Sequence, residues 1–99
     1  DEVISGKLDS WFITDCIQGG AGTSFNMNAN EVIANRAAQL AGREIGVYDY
    51  IHPNDHINFG QSTNDVFPTA GRLTALALVE VLLNELTELQ HSLLKKAKV

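Results

Sequence analysis

The stretch STNDVFPTAGRLTALALVEVLLNELTELQHSLLKKAKV, residues 62–99, decides the fold class. Pro68 is expected in the first turn of a helix, where its missing N–H costs little. The leucine seam, a set of apolar residues spaced alternately by three and four, is typical of one helix face: Val79, Leu82, Leu86, Leu89 and Leu93. The stretch therefore predicts one helix from Thr63 to Lys98.

The length of this helix bears on what covers it. A helix of about 34 residues is about 50 Å long, whereas a compact domain of this size has a radius of gyration of about 13 Å. We therefore expect the leucine seam to pack on other segments or other chains, as part of a helical bundle or an assembly. The chain begins at Asp1 rather than Met, which suggests a piece of a longer protein.

Composition excludes several classes of protein. The 99 residues include 12 Asp and Glu against 7 Lys and Arg, a formal net charge of -5. This acidic balance argues against nucleic-acid binding, which needs a surplus of cations. No uninterrupted apolar run approaches the roughly 20 residues that span a bilayer, so no membrane partner is expected. Cys16 cannot pair within the chain, and we expect it to be a buried, reduced thiol in a cytoplasmic protein.

A second helix is predicted upstream. A glycine-rich turn at 18–24 precedes Asn28, which is spaced from Glu31 as in a capping box. Helix from Asn28 to Ala41 follows, with Gly42 in the C′ position. Its expected apolar face comprises Val32, Ile33, Ala37 and Leu40. Residues 46–61 are then expected to form a loop, in which Pro53 keeps Ile51 and His52 out of helix.

Two polar clusters precede the predicted helices and share one design. Gly22-Thr23-Ser24 comes before the first helix, and Ser62-Thr63-Asn64 opens the second. Helix N-termini offer free N–H groups and partial positive charge, so adjacent hydroxyls and amides can complete an anion site. Two such sites could hold the two ends of a dicarboxylate. The same residues also cap helices, so these patterns alone leave capping and anion binding both open.

The segment His52-Pro53-Asn54-Asp55-His56 invites a metal hypothesis. Pro53 makes it a loop, so the two histidines do not share a helical face as in metalloproteases. No third imidazole or thiolate is near in sequence. We therefore expect no metal and favour a solvated loop or a second anion pocket.

Three long motifs resemble, in the same order, the conserved blocks of the aspartase/fumarase superfamily: QGGAGTSFNMNANEVIAN (18–35), HPNDHIN (52–58) and QSTNDVFPTA (61–70). The resemblance implies an all-α fragment of the fumarase/aspartase-type fold. Residues 1–61 would be the C-terminal part of the N-terminal lyase domain, carrying a substrate loop. Residues 62–99 would be the first long helix of the central helical bundle.

The resemblance also implies a function. Members eliminate ammonia or water from a C4 dicarboxylate to give fumarate. No cofactor is expected for this reaction. By analogy Thr23, Ser62, Thr63 and Asn64 would bind the substrate, and His52, Asn54 and Asp55 would match a secondary anion site. The catalytic base of the family lies in a later segment, so this chain would contain no catalytic residue. Members are homotetramers whose active sites combine blocks from three subunits.

Two residues favour the aspartate ammonia-lyase type over the fumarase type. In the first motif, fumarases resemble Gly-Ser-Gly-Thr, whereas this chain has Ala21 in place of the serine. In the third motif, fumarases tend to have Ser-Ser-Asn-Asp, whereas this chain has Thr63 in place of the second serine. In contrast, Asn35-Arg36-Ala37 resembles the fumarase form. Fumarate hydratase and a catalytically silent helical assembly fragment therefore stay as alternatives.

Overall fold

Two α-helices make up most of the secondary structure in a computed structural model, which describes residues 1–98. Helix α1 spans Thr23–Leu40 and helix α2 spans Thr63–Lys96. A 3₁₀ turn occupies Asp9–Trp11 and a wide π-type turn occupies Pro53–Ile57. Residues 1–98 contain no strand, which agrees with the all-α prediction. Val99, the last residue of the predicted bundle segment, lies outside the described residues.

The chain divides into two units, Asp1–Phe67 and Pro68–Val99. The first contains α1, both short turns and the first turn of α2, and the second contains the rest of α2. The predicted domain boundary between residues 61 and 62 stays a prediction.

Helix α1 begins five residues earlier than predicted. Gly22 is the N-cap residue with φ +82°, a left-handed conformation that glycine adopts without steric cost, and its carbonyl accepts the Asn26 N–H at 3.0 Å. The predicted capping box at Asn28 and Glu31 is therefore wrong. Asn26 and Asn28 resembled helix caps in the sequence but lie inside α1, because their side chains bond to groups outside the helix and so do not compete with its backbone.

The C-terminus of α1 agrees with prediction. Gly42 has φ +68° and donates to the Gln39 carbonyl at 3.0 Å, while Arg43 donates to the Ala38 carbonyl at 2.9 Å. These two bonds form a Schellman motif, with Gly42 at C′.

Helix α1 is buried on two opposite sides. Asn26, Asn30, Ala34 and Ala38 form one side, which faces the Pro53–Ile57 turn, and Asn28 and Val32 lie on the other, which faces residues 11–14. The expected single apolar face is wrong, because Ile33 is 37% exposed and Leu40 70% exposed. A helix between two loops has no need of one apolar stripe, since polar side chains can bond to loop backbone on either side. Cys16 is also exposed, contrary to the expected burial.

An ion pair ties the N-terminal segment to α1. Arg36 Nη2 donates to Glu2 Oε1 at 2.9 Å, and Arg36 Nε donates to the other carboxylate oxygen. The hydrogen bonds from Arg36 lower the pKa of Glu2 below 4.5 and raise the pKa of Arg36. The stabilisation is therefore complete above pH 4.5 and is lost as the pH falls through the lowered pKa of Glu2.

This predicts a small pH-dependent effect of Glu2→Gln. The variant should have a lower thermal midpoint than wild type at pH 7, and the gap should close in acid as Glu2 of the wild type is protonated. The effect is small because both side chains are about one-third exposed. Thermal unfolding of both proteins across pH 2–7 measures it, and a gap independent of pH would contradict the role of the ion pair.

Helix α2 confirms the predicted long helix to within two residues at its end. Pro68 is its sixth residue and not in the first turn as predicted, so the Asn64 carbonyl lacks the N–H that residue 68 would otherwise donate. From Thr69 to Lys96 every residue is exposed. The leucine seam is thus uncovered along its whole length, with exposures from 38% at Val79 to 61% at Leu93.

By length and composition alone, α2 could cross a membrane. An 18-residue window within it has mean hydropathy 1.6, although uninterrupted apolar runs are short because Glu80, Glu85 and Glu88 interrupt them. Core helices of soluble proteins meet the same criterion, so this property is weak evidence for a membrane.

Candidate functional site

The start of α1 meets the start of α2 within the Asp1–Phe67 unit. Asn26 Nδ2 donates to Thr63 Oγ1 at 2.9 Å. The rings of Phe25 and Phe67 pack with centroids 5.8 Å apart, and Gly22 lies directly against the Phe67 ring. The two polar clusters predicted from the sequence are therefore brought together by contacts from the first turn of each helix.

The predicted site residues differ in how they are bonded. Ser62 caps α2, because its hydroxyl accepts the Asn64 N–H at 3.3 Å. Thr23 and Asn64 are exposed, and within residues 1–98 their side chains make no hydrogen bond. Thr63 is half-buried and is held by Asn26. Ser62 thus acts as a helix cap, whereas the side chains of Thr23 and Asn64 are not hydrogen-bonded to any described residue.

The start of α1 offers an uncompensated positive end. Its N-cap Gly22 provides no side-chain hydrogen bond, and its first turn contains no acidic residue. The N–H groups of the first turn and the helix dipole therefore favour a nearby anion. Helix α2 differs, because Asp65 lies in its first turn.

Two residues of this site were missed by the sequence analysis. Asn26 is 8% exposed and donates a hydrogen bond to the Thr63 hydroxyl. Asn58 Oδ1 accepts one hydrogen bond from Asn26 Nδ2 and one from Asn30 Nδ2, both at 3.1 Å. The available signal was the run of asparagines at alternate positions of an otherwise helical stretch. Asparagine is unfavourable inside a helix unless its amide has partners elsewhere.

The predicted secondary anion residues lie on the Pro53–Ile57 turn and its N-cap. His52 Nδ1 accepts the N–H groups of Asn54 and Asp55, each at 3.2 Å, and His56 Nδ1 accepts the His52 N–H at 2.8 Å. Both Nδ1 atoms thus act as hydrogen-bond acceptors for backbone N–H groups. The Asp55 carboxylate lies 3.4 Å from His52 Nδ1.

His52, as predicted, has extended backbone angles, φ −107° and ψ 135°. The helical turn that follows was predicted as loop. In this turn the Pro53 carbonyl accepts the Asn58 N–H at 2.9 Å, a wide hydrogen bond between residues i and i+5. The bond places Asn58 beside α1. In the part of the chain that the structure describes, no three His, Cys, Asp or Glu side chains are grouped so as to hold a metal ion.

Comparisons with known proteins identify the family of this chain. A family model described as Lyase matches residues 1–99. The chain is 57% identical over 98% of its length to an aspartate ammonia-lyase from Bacillus sp., of which it covers 21%. The chain belongs to the aspartase/fumarase superfamily of lyases.

Two further relatives of this lyase chain are not named aspartate ammonia-lyase. It is 62% identical over 77% of its length to a class II fumarate hydratase from Halobacterium salinarum, and covers 16% of that protein. A crystal structure of a fumarate lyase:delta crystallin from Brucella melitensis superposes with a TM-score of 0.75 at 61% identity, over 78% of this chain and 18% of that one.

The comparisons establish the superfamily and the fold. The helical structure matches part of a fumarate lyase fold, as the motifs predicted. The chain spans about a fifth of the length of the curated relatives that it matches. Relatives of both functional types match at similar identity, 57% and 62%, so identity alone does not assign the substrate.

Proposed function

We propose that the protein containing this chain is an aspartate ammonia-lyase, which eliminates ammonia from L-aspartate to give fumarate. In this proposal the chain supplies part of the dicarboxylate site through Thr23, Ser62, Thr63 and Asn64. The observation that carries it is the contact between the two helix starts, where Asn26 of α1 holds the Thr63 hydroxyl of α2. Support for aspartate as substrate comes from Ala21, Thr63 and the Bacillus relative.

The proposed chemistry needs a site for developing negative charge. Removing a proton from the carbon next to a carboxylate turns that carboxylate into an enediolate-like dianion. Preorganised donors at this position lower the barrier most. The hydroxyls at Thr23 and Thr63, with the free N–H groups at the start of α1, are donors of the required kind.

Fumarate hydratase is the second candidate. The Halobacterium relative and the fumarase-like Asn35-Arg36-Ala37 favour it. Assays of the full-length protein with L-aspartate and with malate separate the two, because both give fumarate with its ultraviolet absorbance. Faster turnover of malate would reject the aspartase proposal.

Thr63→Val in the full-length enzyme tests the proposed site. The change removes one hydrogen-bond donor to a carboxylate and should weaken aspartate binding by about 1.5–3 kcal/mol. The matched control is Thr74→Val on the same helix, because Thr74 is exposed and donates to the Ala70 carbonyl of its own helix. Unchanged kinetics in Thr63→Val, or an equal loss in Thr74→Val, would contradict the role of Thr63.

We also propose that the leucine seam is covered by protein in a homo-oligomer, a tetramer by analogy with the superfamily, and that the enzyme is cytoplasmic. The 99-residue chain alone should form no fumarate, because no catalytic base is assigned to it. Sedimentation of the full-length protein tests the oligomer. A monomer would contradict it, and fumarate formation by the isolated chain would contradict the assignment of the base to another segment.

A further inference from the structure

A chain of side-chain amides leads from a backbone carbonyl to Thr63. Asn58 Nδ2 donates to the Gln61 carbonyl at 3.1 Å. Asn58 Oδ1 accepts from Asn26 Nδ2 at 3.1 Å, and the same Asn26 nitrogen donates to Thr63 Oγ1 at 2.9 Å. All four residues belong to the Asp1–Phe67 unit.

The direction of every bond in this chain follows from its first member. A backbone carbonyl only accepts, so the Asn58 NH₂ group must face Gln61 and its oxygen must face α1. The Asn26 amide must therefore present its NH₂ group to that oxygen, and the second N–H of this group points to Thr63. Asn30 Nδ2, which also donates to Asn58 Oδ1 at 3.1 Å, agrees with this orientation.

The chain leaves the proton of the Thr63 hydroxyl available to a ligand. Its oxygen accepts the Asn26 N–H, and an amide NH₂ group cannot accept in return, so this proton is not used by Asn26. Among the described residues, no acceptor takes this proton. The hydroxyl is thus free to donate, and a carboxylate, which only accepts, requires that role of it.

We propose that Asn26 is a positioning residue that fixes the Thr63 hydroxyl as a donor to the substrate carboxylate, with its own amide oriented by Asn58 and the Gln61 carbonyl. This inference rests on the proposed function of Thr63. It assigns a ligand-binding consequence to a buried asparagine that need not touch the substrate itself.

Asn26→Asp reverses the proposed bond in the full-length enzyme. A carboxylate at residue 26 only accepts, so Thr63 would donate to it and lose its donor role toward the ligand. The inhibition constant of succinate, a C4 dicarboxylate without a leaving group, should rise about 10- to 100-fold at pH 8, as for a lost hydrogen bond to a charged group. Protonation of the introduced carboxylate restores a donor, so the ratio of variant to wild type should fall as the pH is lowered.

Asn30→Ala is the matched structural control. Asn30 is 6% exposed against 8% for Asn26, lies on the same face of α1 and shares the Asn58 acceptor, but its amide bonds to Met27 and Asn58 and not to Thr63. Its removal should lower stability without a pH-dependent change in succinate inhibition. An equal rise in the succinate constant for Asn30→Ala would overturn the inference, because it would indicate a general packing effect.

A double-mutant cycle separates this inference from the proposed function. In a Thr63→Val background there is no hydroxyl to reverse, so Asn26→Asp should weaken succinate binding less than in wild type, by only the repulsion between the new carboxylate and succinate. If Thr63→Val weakens binding but Asn26→Asp weakens it equally in both backgrounds, the inference fails and the proposed site stands. If Thr63→Val has no effect, the proposed site fails and the inference with it. If Asn26→Asp does not fold, Asn26→Ala replaces it in the same double-mutant cycle. The succinate inhibition constant should then rise a few-fold, because the Thr63 hydroxyl is free to rotate.

Discussion

Replacing Gly22 with alanine is expected to destabilise the Asp1–Phe67 unit by about 2–5 kcal/mol. Gly22 has φ +82°, and a Cβ there would lie 2.5 Å from Cδ1 and Cε1 and 2.8 Å from Cγ of Phe67. The left-handed conformation costs a residue with a Cβ about 1–2 kcal/mol. Displacing the ring adds the cost of overpacking and moves the first turn of α2, so substrate binding should also weaken.

Gly20→Ala is the matched control for Gly22→Ala. Gly20 has φ +86°, but a Cβ there meets no atom within 4 Å. It should therefore lose only the conformational part, about 1–2 kcal/mol. The urea midpoints and succinate inhibition constants of both variants measure the difference. Equal losses of stability would mean that the contact between Gly22 and Phe67 adds nothing to the steric cost.

Asn28→Ala is expected to destabilise the protein by about 2–3 kcal/mol, because it strands backbone groups of the N-terminal loop. Asn28, 8% exposed, accepts the Ile13 N–H at 3.0 Å and the Thr14 N–H at 3.4 Å, and donates to the Trp11 carbonyl at 3.0 Å. Alanine satisfies none of these three groups, and the loop can then reach partners only by admitting water.

Asn54→Ala provides the comparison for Asn28→Ala. Asn54 is exposed and, among residues 1–98, only its backbone N–H is hydrogen-bonded, to His52. Its removal should change the urea midpoint little. A similar small change for Asn28→Ala would show that the residue 11–14 segment does not depend on the amide of Asn28.

Both helices could be predicted because their signals are local. The alternating spacing of apolar residues and the absence of helix-breaking residues after Gly71 predicted α2, and Gly42 predicted the end of α1 through its left-handed conformation. The start of α1 could not be placed in this way. Gly22 and the asparagines at 26, 28 and 30 all resemble capping residues, and only their tertiary partners distinguish cap from interior.

The candidate site was predicted in part. The motifs identified Thr23, Ser62, Thr63 and Asn64 by resemblance, and the structure brings the two helix starts into contact through Asn26 and Phe67. Asn26 and Asn58 were missed. They are separated by 32 residues along the chain, and no local pattern indicates that their amides meet.

The amino-acid sequence by itself determined the superfamily, the two helices and the polar residues available for an anion. These follow from local conformational preference, apolar periodicity and motif order, which are properties of neighbouring residues. Only the tertiary structure decided that α1 is buried between two loops and that Asn26 points its N–H at Thr63. Both depend on where distant backbone groups come to lie, because buried amides take their orientation from the donors and acceptors around them.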